Sequence, residues 1–148
     1  MRPRDGRPPL YTVRAVTHAS ACGILLQMHE NLFGESAPQI VPDEGYWWIA
    51  WKADKPVGFA GLRMTANTPR TAYLHRSGVM QRHRGHGLQV RFIRIREAKA
   101  RELGMDRMVT DTTDNVPSSN SLIRAGYRLF TPIAPWAFEH SLYWEKNL

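Results

Sequence analysis

Residues 79–89, VMQRHRGHGLQ, decide how this chain is to be read. The run before them, Thr71 to Met80, is β-rich, and the run after them, Leu88 to Leu103, has helical spacing and stops at Gly104. A strand that passes through Gly85 and Gly87 directly into a helix leaves unpaired backbone N–H groups at the positive end of the helix dipole. Glycine also lets an anion come close to the backbone. Arg82 and Arg84 add charge at the same place, and the N–H groups of Arg84 to Leu88 form a concave nest suited to a diphosphate. No Lys-Ser/Thr pair follows the glycines, which excludes a P-loop. The preceding chain reads as a hairpin, which argues against a dinucleotide-binding βαβ opening.

Upstream, YWWIAWK (46–52) and VGFAGLRM (57–64) are two β-rich runs joined by a short turn, the pattern of an antiparallel hairpin. Tyr11 to Val16 alternates as a strand. Thr17 then caps a helix whose apolar positions Ala21, Leu25, Met28 and Leu32 recur at helical spacing up to Gly34. In the long helix, Leu88, Phe92 and Ile95 mark the stripe expected to be buried. Arg91, Arg94, Arg96, Lys99 and Arg101 are spread around it and read as a solvated face. Downstream come a short strand (106–112), a short helix (116–126) and two closing strands, YRLF and HSLYWEK. The order β-α-β-β-β-α-β-α-β-β predicts a mixed α/β chain around a central hairpin.

The chain has 148 residues, enough for one domain with a substantial core. With 43% apolar and 22% charged residues it is globular in composition. Twenty Lys and Arg against thirteen Asp and Glu leave a net charge of +7, so an anionic partner is expected: nucleic acid, an anionic membrane surface or a phosphorylated cofactor. A lone Cys22 cannot form an intramolecular disulfide and no Cys/His spacing suits zinc, so a reducing, cytoplasmic setting and no metal are expected. The longest apolar run, Tyr46 to Trp51, is far short of the roughly 20 residues that span a bilayer. MRPRDGRPPL reads as a flexible basic Pro/Arg tail over 1–10 and not a signal peptide, leaving 11–148 as one unit.

The segment resembles the acetyl-CoA signature of the GNAT superfamily of N-acetyltransferases. That signature is a strand ending in Val, then Arg-Gly-x-Gly opening a long helix, with Gln or Arg three residues before the first glycine. Val79, Arg82, Arg84, Gly85 and Gly87 fill it. The family's second mark, an Asn after the next strand, a short helix and a Gly-aromatic pair, is met by Asn115, the 116–126 helix and Gly126-Tyr127. The resemblance covers 11–148. It implies a central, mixed, mostly antiparallel sheet with splayed strands, flanked by helices, and transfer of an acetyl group from acetyl-CoA to a primary amine by direct attack.

The resemblance further implies that the splayed strand hydrogen-bonds pantetheine at Gly78, Val79 and Met80. Arg82, Arg84, Gly85, His86, Gly87 and Leu88 would surround the diphosphate, and Asn115, Ser118 and Asn120 would touch the pantetheine or phosphate end. A backbone N–H near Val79 would serve as oxyanion donor. Strand alternation puts Tyr73, His75, Ser77 and Val79 on one face. His75, with an ordinary pKa near 6.5, is then the candidate base. Where many members carry a tyrosine acid this chain has Leu122, so Ser119, Ser121, Tyr127 or water is left to protonate the thiolate. Glu30, Glu35, Asp43 and Glu44, and the five tryptophans, are candidates for the acceptor wall. Two other readings stand beside this one. The first is a basic nucleic-acid-binding module, and the second an acyl-CoA-binding protein with little turnover. The closing strands also leave a homodimer open.

Overall fold

The computed structural model describes residues 9–148, so the basic tail expected over 1–10 falls almost wholly outside the described residues. The strands are β1 (Thr12–Val16), β2 (Tyr46–Lys52), β3 (Lys55–Met64), β4 (Thr71–Val79), β5 (Arg107–Thr112), β6 (Arg128–Leu129) and β7 (Leu142–Asn147). The helices are α1 (His18–Phe33), α2 (Leu88–Glu102) and α3 (Val116–Arg124). The strands form one sheet in the order β1-β2-β3-β4-β5-β7-β6. β4 and β5 pair in parallel and all other neighbours antiparallel, which is the mixed, mostly antiparallel sheet expected. The first closing strand is only two residues long, and β7 inserts between it and β5.

α1 starts where the Thr17 hydroxyl accepts the Ser20 N–H, a capping box worth about 1 kcal/mol. Leu25 and Met28 of α1 pack on Trp47, Ile49 and Phe59, covering one face of the sheet. α2 and α3 cover the other face, where Leu88, Phe92, Ile93 and Leu122 meet Ala60, Leu74, Val79, Met108 and Trp144. Among the described residues no helix is long and apolar enough to cross a membrane.

Two features of the middle of the sheet depart from simple periodicity. Ala60 faces Ser77 and Leu62 faces Leu74, so Gly61 alone opposes both His75 and Arg76. This is a β-bulge in β4, and it breaks the side-chain alternation there. Tyr73 and His75 therefore share the α1 face, with the His75 ring 5.6 Å from that of Trp47. Ser77 and Val79 turn to the α2 face, where the Ser77 hydroxyl donates to Gln89 at 3.1 Å and Val79 joins the core with Phe92. The expected single face of Tyr73, His75, Ser77 and Val79 is thus split in two.

The second feature is Arg96. It is fully buried, not part of a solvated face: its guanidinium donates to the carbonyls of Phe92 (3.0 Å), Gly61 (3.0 Å) and His75 (3.1 Å). A bulge leaves carbonyls without ladder partners, and a buried carbonyl needs a donor. The buried side of α2 is accordingly Leu88, Phe92, Ile93, Arg96, Glu97 and Ala100, with Ile95 only partly buried. Arg91 is also tied to the fold, donating to the Tyr11 carbonyl at 3.1 Å.

Candidate active site

β4 and β5 pair only from Thr71 with Arg107 to Tyr73 with Val109, then diverge. The second half of β4 is left without a neighbour on that side. The Met80 N–H bonds the Val57 carbonyl on β3 at 2.8 Å. Because antiparallel ladder bonds alternate along a strand, the N–H and C=O of Val79 point the other way, into the opening. The Val79 carbonyl there accepts from Arg84 Nε at 3.1 Å.

A cavity of about 620 Å³ fills this opening. Gly78, Val79, Arg84, Gly85, Gly87 and Leu88 line it from the β4 and α2 side, and Asn115, Ser118 and Asn120 from the α3 side. Gly85 (φ 81°) and Gly87 (φ 77°) are in the left-handed region, which a side chain adopts only under strain, and a Cβ at either would meet no other atom. Gly87 caps α2 without a side-chain partner, so the N–H groups of the first turn face outward with the helix dipole behind them. Asn115 caps α3, its Oδ1 accepting the Ser118 N–H at 3.1 Å. Three expected contacts are not on this wall. The Met80 N–H is taken by β3. Arg82 is exposed outside the cavity, and His86 turns its ring toward Tyr11 at 5.4 Å.

A second cavity, about 500 Å³, adjoins the first, reaching from Phe33 at the end of α1 and Pro38 beyond it to Ile93 and Arg96 of α2 and Leu122 of α3, and shares Phe33, Ser77, Gln89, Asn115, Ser118 and Ser121 with it. Its walls include Tyr73, His75, Arg76 and Asp111. The Tyr73 hydroxyl donates to Asp111 Oδ1 at 2.5 Å, and the Trp136 indole N–H donates to the same oxygen at 2.9 Å. Burial and the Asp111 carboxylate hold the Tyr73 phenol above its ordinary pKa, so it keeps its proton. His75 is pushed down to about 3 by burial and by the positive charges of Arg63, Arg76 and Arg96. It is a neutral imidazole across the physiological range, a hydrogen-bond acceptor but a weak store for a proton.

The hydroxyls divide in the same way. Ser119 bonds Thr112 Oγ1 at 3.0 Å and lines neither cavity. The Tyr127 hydroxyl donates to Glu97 Oε2 at 2.8 Å within the core. Ser121 lines both cavities, its hydroxyl donating to the Pro117 carbonyl at 3.1 Å. Leu122 is buried at the floor of the second cavity. Glu30, Glu35, Asp43 and Glu44 are exposed and line neither, Glu44 pairing with Arg63 at 2.6 Å. Trp47, Trp48 and Trp144 are core, whereas Trp136 is exposed and bonded to Asp111. Among the described residues no group of three His, Cys, Asp or Glu could hold a metal ion. Periodicity did not single out Asp111, Arg76 or Gln89, because only the register of β4 against its neighbours brings them together.

Residues 19–127, which hold this diverging strand and the glycine turn at the start of α2, are matched by a family model described as the acetyltransferase (GNAT) family. The chain belongs to the GNAT acetyltransferase family. A search of the curated proteins finds no match. Solved structures share the GNAT fold at low identity. The GNAT domain of an S. lividans protein, PAT, aligns with a TM-score of 0.74 at 17% identity, covering 98% of this chain and 93% of that one. An IAA acetyltransferase from Bacillus cereus aligns at 0.70 and 15%, covering 93% and 99%. A Bacillus subtilis acetyltransferase solved with CoA aligns at 0.68 and 16%, also covering 93% and 99%.

Proposed function

We propose that this GNAT protein is an acetyl-CoA-dependent N-acetyltransferase whose residues 11–148 act as one unit on a primary amine. The observation that carries the reading is the opening between β4 and β5, which runs without interruption into the glycine turn before α2. Backbone N–H groups from Gly85 to Leu88 bind the diphosphate, and the exposed edge of β4 at Val79 orients the pantetheine arm, which lies along Gly78. The Val79 N–H, aimed into the opening, stabilises the oxyanion that develops as the amine attacks the thioester carbonyl. The N–C bond forms and the C–S bond breaks. The proton lost by the amine balances the one gained by the thiolate, leaving an amide and the CoA thiol. His75 accepts a hydrogen bond from the amine or from a water beside it, while Tyr73 orients Asp111. The thiolate takes its proton from water on the side of the cavity walled by Ser121.

Titration calorimetry of acetyl-CoA at physiological salt tests this. The wild-type protein binds. Gly85→Glu puts a strained side chain and a carboxylate in the anion seat, and weakens binding by about 100-fold or more, on the order of 2.7 kcal/mol. Unchanged affinity in a variant whose urea midpoint matches wild type would refute the assignment.

A further inference from the structure

The second cavity carries a charge pattern that the transfer reaction alone does not require. Asp111 reaches it from β5, with Oδ1 held by Tyr73 and Trp136. Among the described residues Asp111 meets no cation, and Oδ2 has no hydrogen-bond donor. Arg76 reaches the same cavity from β4. Regular alternation would have sent it to the α2 face, but the bulge opposite Gly61 keeps it beside His75 on the α1 side. Its guanidinium lies 5.3 Å from the centre of the Phe33 ring, which fixes it by a cation–π contact, and among the described residues it meets no carboxylate. Both side chains line the one cavity, with the Tyr73 hydroxyl of β4 tied to Asp111 of β5 between them. Arg96 lines the same cavity from α2 and adds positive charge to it.

A partly buried charge without a counter-ion is costly unless a ligand supplies one. Here two such charges of opposite sign, each held in place by other contacts, face a single cavity. Aromatic rings accompany them: Phe33 lies beside Arg76, Trp136 bonds Asp111, and Phe138 lines the same cavity. We propose that the acceptor is a zwitterionic amine of the amino-acid type, its ammonium bound by Asp111 and its carboxylate by Arg76. This inference rests on the acetyltransferase reading and names the substrate class of that site. The Asp111 carboxylate draws the ammonium to the mouth of the cofactor cavity, where it gives one proton to solvent water before the neutral nitrogen attacks; the second proton, lost as the amide forms, balances the one taken up by the thiolate. Arg76 is a specificity-determining residue: it binds the far end of the acceptor and takes no part in bond making.

The test is a panel of apolar amino acids, each beside its amide and its decarboxylated amine, assayed for thiol release at saturating acetyl-CoA. The amino acids are expected to be better acceptors than their matched amides and amines by about tenfold or more in kcat/KM, as for a site built to bind a polar group. Arg76→Gln should remove that preference through KM while leaving acetyl-CoA affinity unchanged, and Arg76→Lys should restore part of it. Calorimetric titration of the CoA-saturated protein with the same panel reads recognition without turnover. The inference is overturned if the decarboxylated amines are turned over as well as the amino acids, if Arg76→Gln keeps the preference, or if no amino acid binds the CoA-saturated protein. Loss of acetyl-CoA binding in the wild-type protein would instead overturn the acetyltransferase reading, so the two failures are distinguishable.

Discussion

Replacing His75 by Gln or Leu should change how stability depends on pH, by an amount that follows from its surroundings. In the folded protein the imidazole is held neutral, its pKa pushed down to about 3 by burial and by Arg63, Arg76 and Arg96. In the unfolded chain it titrates near 6.5. The unfolded state therefore binds more protons between these values, and stability falls as pH falls. The His75 contribution is intact above pH 6.5, declines below it and levels off near pH 3. Between pH 7 and pH 5 the loss is about 2 kcal/mol, from about 1.5 pH units at 1.36 kcal/mol each. One edge of the ring faces the cavity, and water there makes this an upper value. His29, buried beside Phe33 with its pKa also lowered, shifts stability in the same direction in every variant and cancels in the difference. Glu145, held below its ordinary value by Arg107, loses its contribution only as pH falls below about 4.5, outside this window. Urea unfolding at pH 5, 6 and 7 should thus show the variant gaining up to about 2 kcal/mol on the wild type as pH drops, whatever the substitution costs at pH 7. A difference that stays constant within about 0.3 kcal/mol would refute the reasoning. His75 would then titrate near its ordinary value and be restored as a base for the amine.

Two further perturbations test the frame around the site. Arg96→Met leaves the carbonyls of Gly61, His75 and Phe92 without their donor, and should cost at least about 3 kcal/mol in urea unfolding. A Met variant as stable as wild type would show that water replaces the guanidinium. Gly61→Ala places a Cβ 2.6 Å from Trp47 Cζ3, so the indole must move, at about 1–3 kcal/mol and with a change in tryptophan fluorescence. An unshifted spectrum with unchanged stability would contradict the close packing at the bulge.

The turn at 79–89 and the strand and helix on either side of it were legible because their determinants are local. Two glycines must adopt positive φ, a helix must begin, and the chain carries both signals within a few residues. Gly78, Val79, Arg84, Gly85, Gly87 and Leu88 accordingly line one cavity, as local order implies. The side-chain assignments failed where they depended on pairing. Counting by twos along β4 is correct up to His75 and wrong at Ser77, because one residue of β3 faces two of β4. No composition or spacing within β4 announces that slip. Gly61 is its nearest trace, since the Trp47 ring occupies the space where any Cβ would stand. Arg96 was misplaced for the same reason: a charge in a basic helix reads as solvated until the bulge supplies carbonyls that need a donor. The slip also decides the chemistry of the acceptor side. It keeps Arg76 and His75 together on the α1 face, where Tyr73 holds Asp111, whereas an unbroken ladder would turn Arg76 to the α2 face and away from the Phe33 ring that fixes it. A site open to simple amines would need only the carboxylate. The added cation is what ties acceptor choice to strand register, so a variant that removed the bulge should alter acceptor preference without touching the glycine turn that binds the cofactor.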